Sequence, residues 1–379
     1  MKNDLYYRVS VRAGHASYDL SHDLSSLTIE ESGTGPDMLT IEMADPFKVF
    51  SHALQEGMLV EIDLGTVSDH SVIFRGRIFK VEGSFPHHGV PALRLLAFDR
   101  SMNMGLRKRN RVWTDTSLEK IVKDIAKNYF NENDIKVDLK ENPYFSANGI
   151  RQQEETDLAF LLRLGSRYGC EMFVVSGEDK DELFFKSQYK IMKAKPAVTL
   201  YYGRYDVKNR LLSFEATVDT AKIRLPRVFS GTDFDTGQRI EQVTEPVQNA
   251  EIIEDRFMDE NLTQFYKRYP ARALSLKNLL SAAGIVQQQL RDELGSVERE
   301  VTPGFTTQDE LNKRAGNQFN TSLYGMRASG SVSGNHRIHA QSTIGIAGVG
   351  GRFSGTWYLS QVRHVLNKEG YRTEFQCRR

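Results

Sequence analysis

Few residues in this chain have the type and spacing that catalysis or metal binding requires. The strongest candidates for metal binding are His336 and His339. Two imidazoles three residues apart can bind a transition metal, but a zinc site needs three or four ligands. The pair follows Gly334 in a segment rich in glycine and serine, and the chain has no His-Glu-x-x-His motif. We interpret the pair as part of a solvated or pore-facing loop. The adjacent His87 and His88 fit the tip of a hairpin, so we expect no metal ligands and no cofactor.

Nucleophilic and phosphate-binding motifs are equally weak. The segment 330–334 reads Gly-Ser-Val-Ser-Gly, but the nucleophile elbow of serine hydrolases needs serine at its centre. The glycine-rich run 345–351 would need a helix after it to hold a phosphate. A strand-like segment follows instead, which predicts a bend. Acidic pairs such as Asp179 and Asp181 lie in polar connections, and nothing marks one of them as a glycosidase pair. We therefore predict no catalytic residue and no enzyme.

Composition excludes several classes of protein. The chain has 379 residues, of which 40% are hydrophobic and 26% charged, as in ordinary globular proteins. Fifty Lys and Arg against 49 Asp and Glu give a net charge of +1, whereas nucleic-acid binders usually show a basic excess. No apolar run approaches the ~20 residues of a membrane span, and the first residues lack the apolar core of a signal peptide. Cys170 is expected to be buried and Cys377 to be partly exposed near the terminus.

Alternating hydrophobic residues predict about six strands in the first hundred residues. Residues 27–43 fit a hairpin with its turn at 33–36, and 73–81 pairs with 92–98. The period then changes to that of a helix. Thr116 and Glu119 form a capping box before one helix, and a second helix starts near Thr156 and stops at Gly169. This order predicts an antiparallel barrel or sandwich followed by a small helical section.

Strands resume after the second helix, at 170–175, 183–186, 198–202 and 211–218, and again over the last fifty residues. The stretch 226–320 has helical patches near 274–293 and 308–319, the latter with a capping box at Thr307. We therefore predict a mixed α+β fold dominated by β-structure, with two similar antiparallel β-barrel domains. The domains are 1–105, a first β-barrel; 106–170, a helical and linker section; 171–225 with 321–379, a second β-barrel; and 226–320, an insertion of uncertain fold.

A weak internal sequence repeat supports the prediction of two similar barrels. Phe74-Arg75-Gly76 and Phe353-Ser354-Gly355 each precede a strand, a turn and a final alternating strand. The most concentrated charge is the basic run Arg107, Lys108, Arg109 and Arg111. We interpret this run as a solvated linker; the alternative is a contact surface for an acidic partner or a phosphate backbone.

The chain resembles the baseplate hub proteins of phage tails, the late-control-D group. Its relatives include the T4-type hub, the Mu-like 43 kDa tail protein and the N-terminal part of type VI secretion spike proteins. The segment 152–164, followed by Gly169 and a strand at 183–185, carries the resemblance most clearly. The resemblance as a whole covers about 1–225 and 320–379. The positions that match are Phe74, Gly76, Asp99, Thr156, Asp157, Phe160, Leu161, Gly169, Phe353, Gly355, Trp357 and Tyr371.

The resemblance implies a structural role in a virion or tail-like particle that is made in the bacterial cytoplasm. Three chains would form a homotrimeric ring around a channel, joining the tail tube or its initiator proteins to the central spike protein. The tape-measure protein and DNA would pass through that channel, and the basic run would be a contact or channel candidate. We expect the spike to be a separate chain, with no lysozyme-like domain fused to the hub.

Two other functions compete with the hub. One is a tail-associated cell-wall hydrolase with its active region in 226–320, which contains Asp and Glu but no recognisable nucleophile or metal set. The other is a glycan-binding module, which would act as a monomer.

Overall fold

The computed structural model describes most of the chain. It covers residues 5–145, 149–204, 209–219, 227–233, 236–243, 263–273, 275–279, 298–317 and 325–379, together with the single residues 282 and 289. None of the helices in these ranges combines the length and the apolar character needed to cross a bilayer.

Strands dominate the described part of the chain. In chain order they are β1 (Leu5–Ala13), β2 (Ala16–Asp19), β3 (Leu24–Ser32), β4 (Met38–Ala44), β5 (Leu59–Thr66), β6 (Asp69–Ser84), β7 (Ala92–Asp99), β8 (Lys108–Trp113), β9 (Thr116–Ser117), β10 (Ile135–Asp138), β11 (Tyr144–Phe145), β12 (Ile150–Thr156), β13 (Cys170–Ser176), β14 (Asp181–Ser187), β15 (Thr199–Tyr201), β16 (Leu211–Val218), β17 (Arg227–Asp233), β18 (Arg239–Val243), β19 (Glu298–Thr306), β20 (Met326–Ser333), β21 (Thr343–Ala347), β22 (Gly355–Asn367) and β23 (Gly370–Arg378).

The helices whose full extent lies in the described residues are α1 (Phe50–Ala53), α2 (Leu118–Ala126), α3 (Asp157–Tyr168), α4 (Gln188–Lys193) and α5 (Gln308–Asn317). Short 3-10 turns follow β7 at Arg100–Gly105 and precede β10 at Glu132–Asp134. Residues 263–268 and 270–273 are also helical. The fold is therefore the β-dominated mixed α+β fold that the sequence predicts.

One sheet of thirteen strands joins two β units, the first formed by β1–β7 and the second by β15, β16 and β20–β23. Its order is β16-β20-β23-β22-β3-β4-β7-β6-β5-β1-β2, with β21 pairing with β22 and β15 with β21. The units meet where β22 runs antiparallel to β3, in a register that pairs Gln361 with Ser32 and Leu366 with Leu27. We call this pairing the seam. The two predicted β units therefore share a continuous backbone hydrogen-bond ladder.

Alternation along the strands builds a core on each side of the seam. Successive side chains of a strand point to opposite faces, so every second residue lies on the same face. On β3 this places the fully buried Leu27 and Ile29 on one face, and on β22 it does the same for the almost fully buried Val362 and Leu366. Leu366 packs into the core of the first unit, whereas Val362 and Trp357 belong to the core of the second. The last strands of the chain therefore contribute to both cores.

A middle unit packs beside the first. Its core contains α2, α3 and the three-stranded sheet β10-β14-β13. Thr156 caps α3 by accepting a hydrogen bond from the backbone N–H of Ala159 at 3.1 Å, and Gly169 ends the helix in the left-handed region at φ 64°. Phe160 and Leu161 on α3 are fully buried in this core. The helix begins and ends where the sequence predicts.

Several local predictions need correction. Ser117, and not Thr116, caps α2, because the helix begins at Leu118 and Ser117 accepts the hydrogen bond from the backbone N–H of Lys120. The basic run is not a free linker, because Lys108–Trp113 forms β8 and pairs with β12. Cys377 is buried, at 3% exposure, because it alternates inward on β23.

The four-part domain division stays a proposal. Within it, the hairpin Cys170–Ser187 packs in the core of the middle unit, whereas the expected boundary near residue 170 would place it in the second barrel. The described part of 226–320 forms the sheet β18-β17-β19 against α5, with Phe229 and Leu311 fully buried between them. Thr307 caps α5 as predicted, and the helical patch at 274–293 lies largely outside the described residues.

Candidate functional site

Motif residues converge where the first β unit meets the rest of the chain, and Arg75 on β6 is the centre of that contact. Its guanidinium donates to Glu61 Oε2 at 2.8 Å, Asp181 Oδ1 at 3.1 Å and the carbonyl oxygens of Gly177 and Glu178 at 2.9 and 2.8 Å. The side chain is only 11% exposed. The planar fork of an arginine can satisfy several acceptors at fixed angles, which lysine cannot do. Arg75 therefore fixes the β13–β14 turn of the middle unit to the first β unit.

The sequence places Asp181 in a polar connection, but in the structure Asp181 is a buried partner in this contact. Its side chain is 7% exposed at the start of β14. Burial raises its pKa, and the charge of Arg75 opposes that rise. Because the carboxylate has little access to water, its charge depends on Arg75 for compensation.

Asp99, at the end of β7, links the first unit to the following 3-10 turn. Its carboxylate accepts hydrogen bonds from the backbone N–H of Ser101 at 2.7 Å and of Asp37 at 2.8 Å. Burial raises the pKa of Asp99 to about 6, and the charge of Asp181 contributes to the rise. Gly76 lies directly opposite Asp99, and an added Cβ there would lie 2.2 Å from the carbonyl oxygen of Phe98. Glycine is therefore required at this position, and Phe74 beside it is buried in the first core.

Asp157 is the buried centre of the middle unit. Its carboxylate accepts hydrogen bonds from Tyr129 Oη at 2.9 Å, Gln152 Nε2 at 2.8 Å and Arg111 Nη1 at 3.5 Å. Its side chain is 1% exposed. The Glu-Thr-Asp motif therefore combines a helix cap with a buried carboxylate, whose hydrogen bonds order the segment around α3.

The members of the basic run differ in exposure. Arg111 binds Asp157 and is 33% exposed, and the partly exposed Arg109 interacts with Tyr129. Arg107 and Lys108 are exposed. Arg107 and Lys108 are therefore the members most open to a partner, and the site role of the run stays a proposal.

The closing hairpin β22–β23 is fixed by hydrogen bonds to the turn before it. The indole Nε1 of the fully buried Trp357 donates to the carbonyl oxygen of Phe353 at 2.9 Å. Arg379 donates to the carbonyl oxygen of Ser354 at 2.7 Å. Phe353 itself is half-buried, and Gly355 begins β22. These motif positions thus close the second core.

A second polar cluster lies at the seam. Glu31 on β3 is buried, and its Oε1 lies 2.8 Å from His339 Nδ1 and 3.6 Å from His364 Nε2. Its Oε2 accepts a hydrogen bond from the backbone N–H of Ala340 at 2.8 Å. Among the residues that the structure describes, this is the group whose ligand atoms could hold a metal, since they lie within 4.8 Å of one another. We call Glu31, His339 and His364 the seam cluster.

The charges of the seam cluster support one another. Burial alone would raise the pKa of Glu31, but the charge and hydrogen bond of His339 and the hydrogen bond of His364 outweigh it and lower that pKa. Burial opposes the charge on His339 as well, yet the Glu31 carboxylate raises its pKa. The His336–His339 loop is therefore not simply solvated: His339 pairs with Glu31, and His336 is 11% exposed with its Nε2 3.5 Å from Asp69.

Sequence reasoning missed Arg75, Glu31 and His364 as site residues. A signal did exist for two of them: Glu31 continues the inward alternation of Leu27 and Ile29, and His364 lies in phase with Val362 and Leu366. An ionisable residue in phase with a buried face needs a partner. The partner could not be identified, because Glu31 and His339 are 308 residues apart in sequence.

Comparison with known proteins gives one family match. The model of the phage tail baseplate hub family matches residues 81–369. No curated protein sequence matches the chain.

Solved structures share the fold at low sequence identity. A tail protein from Neisseria meningitidis superposes with a TM-score of 0.63 at 13% identity, covering 98% of this chain and 96% of that one. The 43 kDa tail protein of prophage MuSo2 from Shewanella oneidensis gives 0.63 at 12% identity, with 99% and 98% covered. The c3393 protein of E. coli, a component of the type VI secretion system, gives 0.55 at 11% identity, with 94% and 73% covered.

Replacing Arg75 tests the contact between the units. We expect Arg75→Met to lower the free energy of unfolding by about 3–5 kcal/mol, because Asp181 is left buried without its cation. The matched control is Arg77→Met on the same strand, whose exposed side chain donates to the carbonyl oxygen of Gly57, with an expected loss below about 1 kcal/mol. Urea unfolding measures both, and equal losses would contradict the role of Arg75.

The pH dependence of stability tests the pair Glu31 and His339. A lowered Glu31 pKa stabilises the fold above the unfolded value of about 4.3 and loses its effect as the pH falls through the folded value. A raised His339 pKa stabilises below about 6.5, and the effect disappears as the pH rises through the folded value. The pair therefore stabilises most between about pH 5 and 6.5.

In metal-free buffer, the free energy of unfolding of the wild type should exceed that of His339→Gln by about 1 kcal/mol between about pH 5 and 6.5. The value is modest because His339 is 37% exposed. The difference should shrink as the pH rises to about 9. His336→Gln is the control: burial lowers the His336 pKa, so the wild type should lose stability relative to this variant as the pH falls. Denaturant unfolding across pH measures both, and a difference for His339→Gln that does not change with pH would contradict the pairing.

Proposed function

The chain belongs to the phage tail baseplate hub family, and we propose that three copies form a ring that joins the tail tube to the central spike. Family membership makes the protein a structural hub and a component of a tail particle. The trimer, its partners and synthesis in the host cytoplasm are our proposals. Family membership is the observation that carries them.

The sheet supports ring formation, because both of its ends are edges within the described residues. β2 lies at one end and is exposed along its whole length, and β16 lies at the other. Edge strands present backbone N–H and C=O groups that a neighbouring chain can complete, and a head-to-tail contact closes into a ring when its rotation permits. Because each chain carries two β units, three chains supply six, which suits a sixfold tube above a threefold spike.

The second β unit carries a groove that suits a channel wall. The groove crosses β16, β20, β23, β22 and β3 and has a volume of about 540 Å³. Four glutamates and two arginines line it, and Arg363 pairs with Glu30 at 3.2 Å and with Glu374 at 3.4 Å. A wall with this excess of carboxylates would repel the phosphate backbone of passing DNA and so keep it from adhering. Arg107 and Lys108 remain candidates for contact with the tape-measure protein or DNA.

Neither competing function gains support from the family match. A cell-wall hydrolase would clear a peptidoglycan suspension in a manner that depends on one carboxylate of 226–320. A glycan-binding module would bind sugar as a monomer. We propose that the hub acts through binding surfaces and lacks enzymatic activity, and the turbidity assay distinguishes these functions.

The mass in solution tests the ring. We expect light scattering after gel filtration to give three times the chain mass of 43.1 kDa, or about 129 kDa. Leu212 is a partly exposed residue at an irregularity of the edge strand β16, and Leu212→Lys should reduce the mass to that of one chain. Val67→Lys, in an exposed turn, is the control that should leave the trimer intact.

A wild-type mass of 43.1 kDa at tens of micromolar would contradict the trimer. A trimer that survives Leu212→Lys would instead show that β16 lies outside the ring contact.

A further inference from the structure

The seam cluster has the donor set of a transition-metal site. It supplies two imidazole nitrogens and one carboxylate oxygen, from His339, His364 and Glu31. Around a tetrahedral zinc ion with bonds of about 2.1 Å, neighbouring donors lie about 3.4 Å apart. The separations of 2.8 Å and 3.6 Å from Glu31 Oε1 to the two histidines bracket that value. Small side-chain movements would therefore suffice to place an ion between them.

The residues behind the donors hold them in position. His364 is fully buried, and its Nδ1 lies 2.8 Å from Tyr371 Oη and 3.2 Å from Thr373 Oγ1. These contacts leave Nε2 directed toward Glu31, where it also lies 3.1 Å from the carbonyl oxygen of Ile338. Metal-binding histidines are commonly oriented through their other ring nitrogen in this way. A metal ion would take the place of the proton that Nε2 otherwise carries.

The cluster is accessible to an ion. A cavity of about 280 Å³ adjoins it and is lined by Glu31, His339 and the carboxyls of Asp37 and Asp99. His339 is 37% exposed, which leaves room for a water molecule as a fourth ligand. Lys186 and Arg337 also line the cavity; Lys186 lies 3.8 Å from Asp138, and the guanidinium of Arg337 is paired with Asp69 at 2.9 Å. The Glu31 carboxylate at the cavity supplies the negative charge that attracts a cation.

We propose that Glu31, His339 and His364 bind one divalent transition-metal ion, with zinc the best fit to two imidazoles and a carboxylate. Imidazole ligands select zinc over magnesium and calcium, which prefer oxygen alone. Glu31 lies on β3 of the first unit, whereas His364 on β22 and the loop with His339 belong to the second. The bound ion therefore stabilises the seam from both sides. This site goes beyond the hub function and replaces the expectation of no metal.

Zinc titration of the full chain tests the site. After EDTA treatment and dialysis, calorimetry with Zn²⁺ alone should show one ion per chain with a Kd in the micromolar range or tighter, and Mg²⁺ should give no binding. His339→Gln should weaken binding at least tenfold. Tyr371→Phe, which keeps the ring and removes only the hydroxyl that contacts His364, should weaken it about 10–100-fold. Circular dichroism verifies that both variants are folded.

Two controls separate the seam cluster from other histidines. His336→Gln and His88→Gln should bind zinc as the wild type does. Wild-type binding that is absent or weaker than millimolar would overturn the proposal and leave a hydrogen-bonded cluster held by protons. Tight binding that persists in His339→Gln, or that disappears only in a control variant, would also overturn it by placing the ion elsewhere.

Discussion

The antiparallel pairing of β3 with β22 is the constraint on which the rest of the structure depends. Six residue pairs from Gln361–Ser32 to Leu366–Leu27 join strands that lie more than three hundred residues apart. Without this ladder the first and second β units would each end in an open edge at that point, and Leu366 would lose its place in the first core. The late strands of the chain therefore complete a structure that the early strands begin.

Two polar clusters reinforce what the ladder establishes. Arg75 fixes the middle unit to the first β unit, and the seam cluster fixes the loop with His339 to β3. Both consist of buried charges with matched partners, which contribute little net stability over an apolar pair but make misplacement costly. This arrangement suits the proposed hub, because a ring that transmits the force of contraction must keep its units in a fixed relation.

The sequence predicted the elements better than their partners. Strand alternation located β3, β6, β7, β22 and β23, and the caps at Thr156 and Gly169 placed α3, because both signals are local. The α2 cap lies one residue later than the capping box indicates, because Thr116 and Ser117 are adjacent hydroxyl residues and either could cap a helix. The sequence favours a linker for the basic run, because its pairing with β12 involves residues some forty positions away. The contact of Arg111 with Asp157 depends on that pairing and has no local signal.

The candidate site shows the same division. Thr156, Asp157 and Gly76 were identified because each lies in a short motif, and each has a local physical role in the structure. Glu31 and His364 were overlooked because their meaning depends on the register of the seam, which no local pattern specifies. The resemblance to hub proteins indicates the family, and the family match confirms that membership.

Native-state hydrogen exchange of the strand amides tests the central claim, that the two β units form one cooperative sheet. The account predicts that amides of β3 and β22 exchange only through global unfolding, with the same opening free energy as amides in β6 and β23. If β3 and β22 instead open at a markedly lower free energy while the rest of each unit stays protected, the seam is a weak contact between independent domains and the account is wrong.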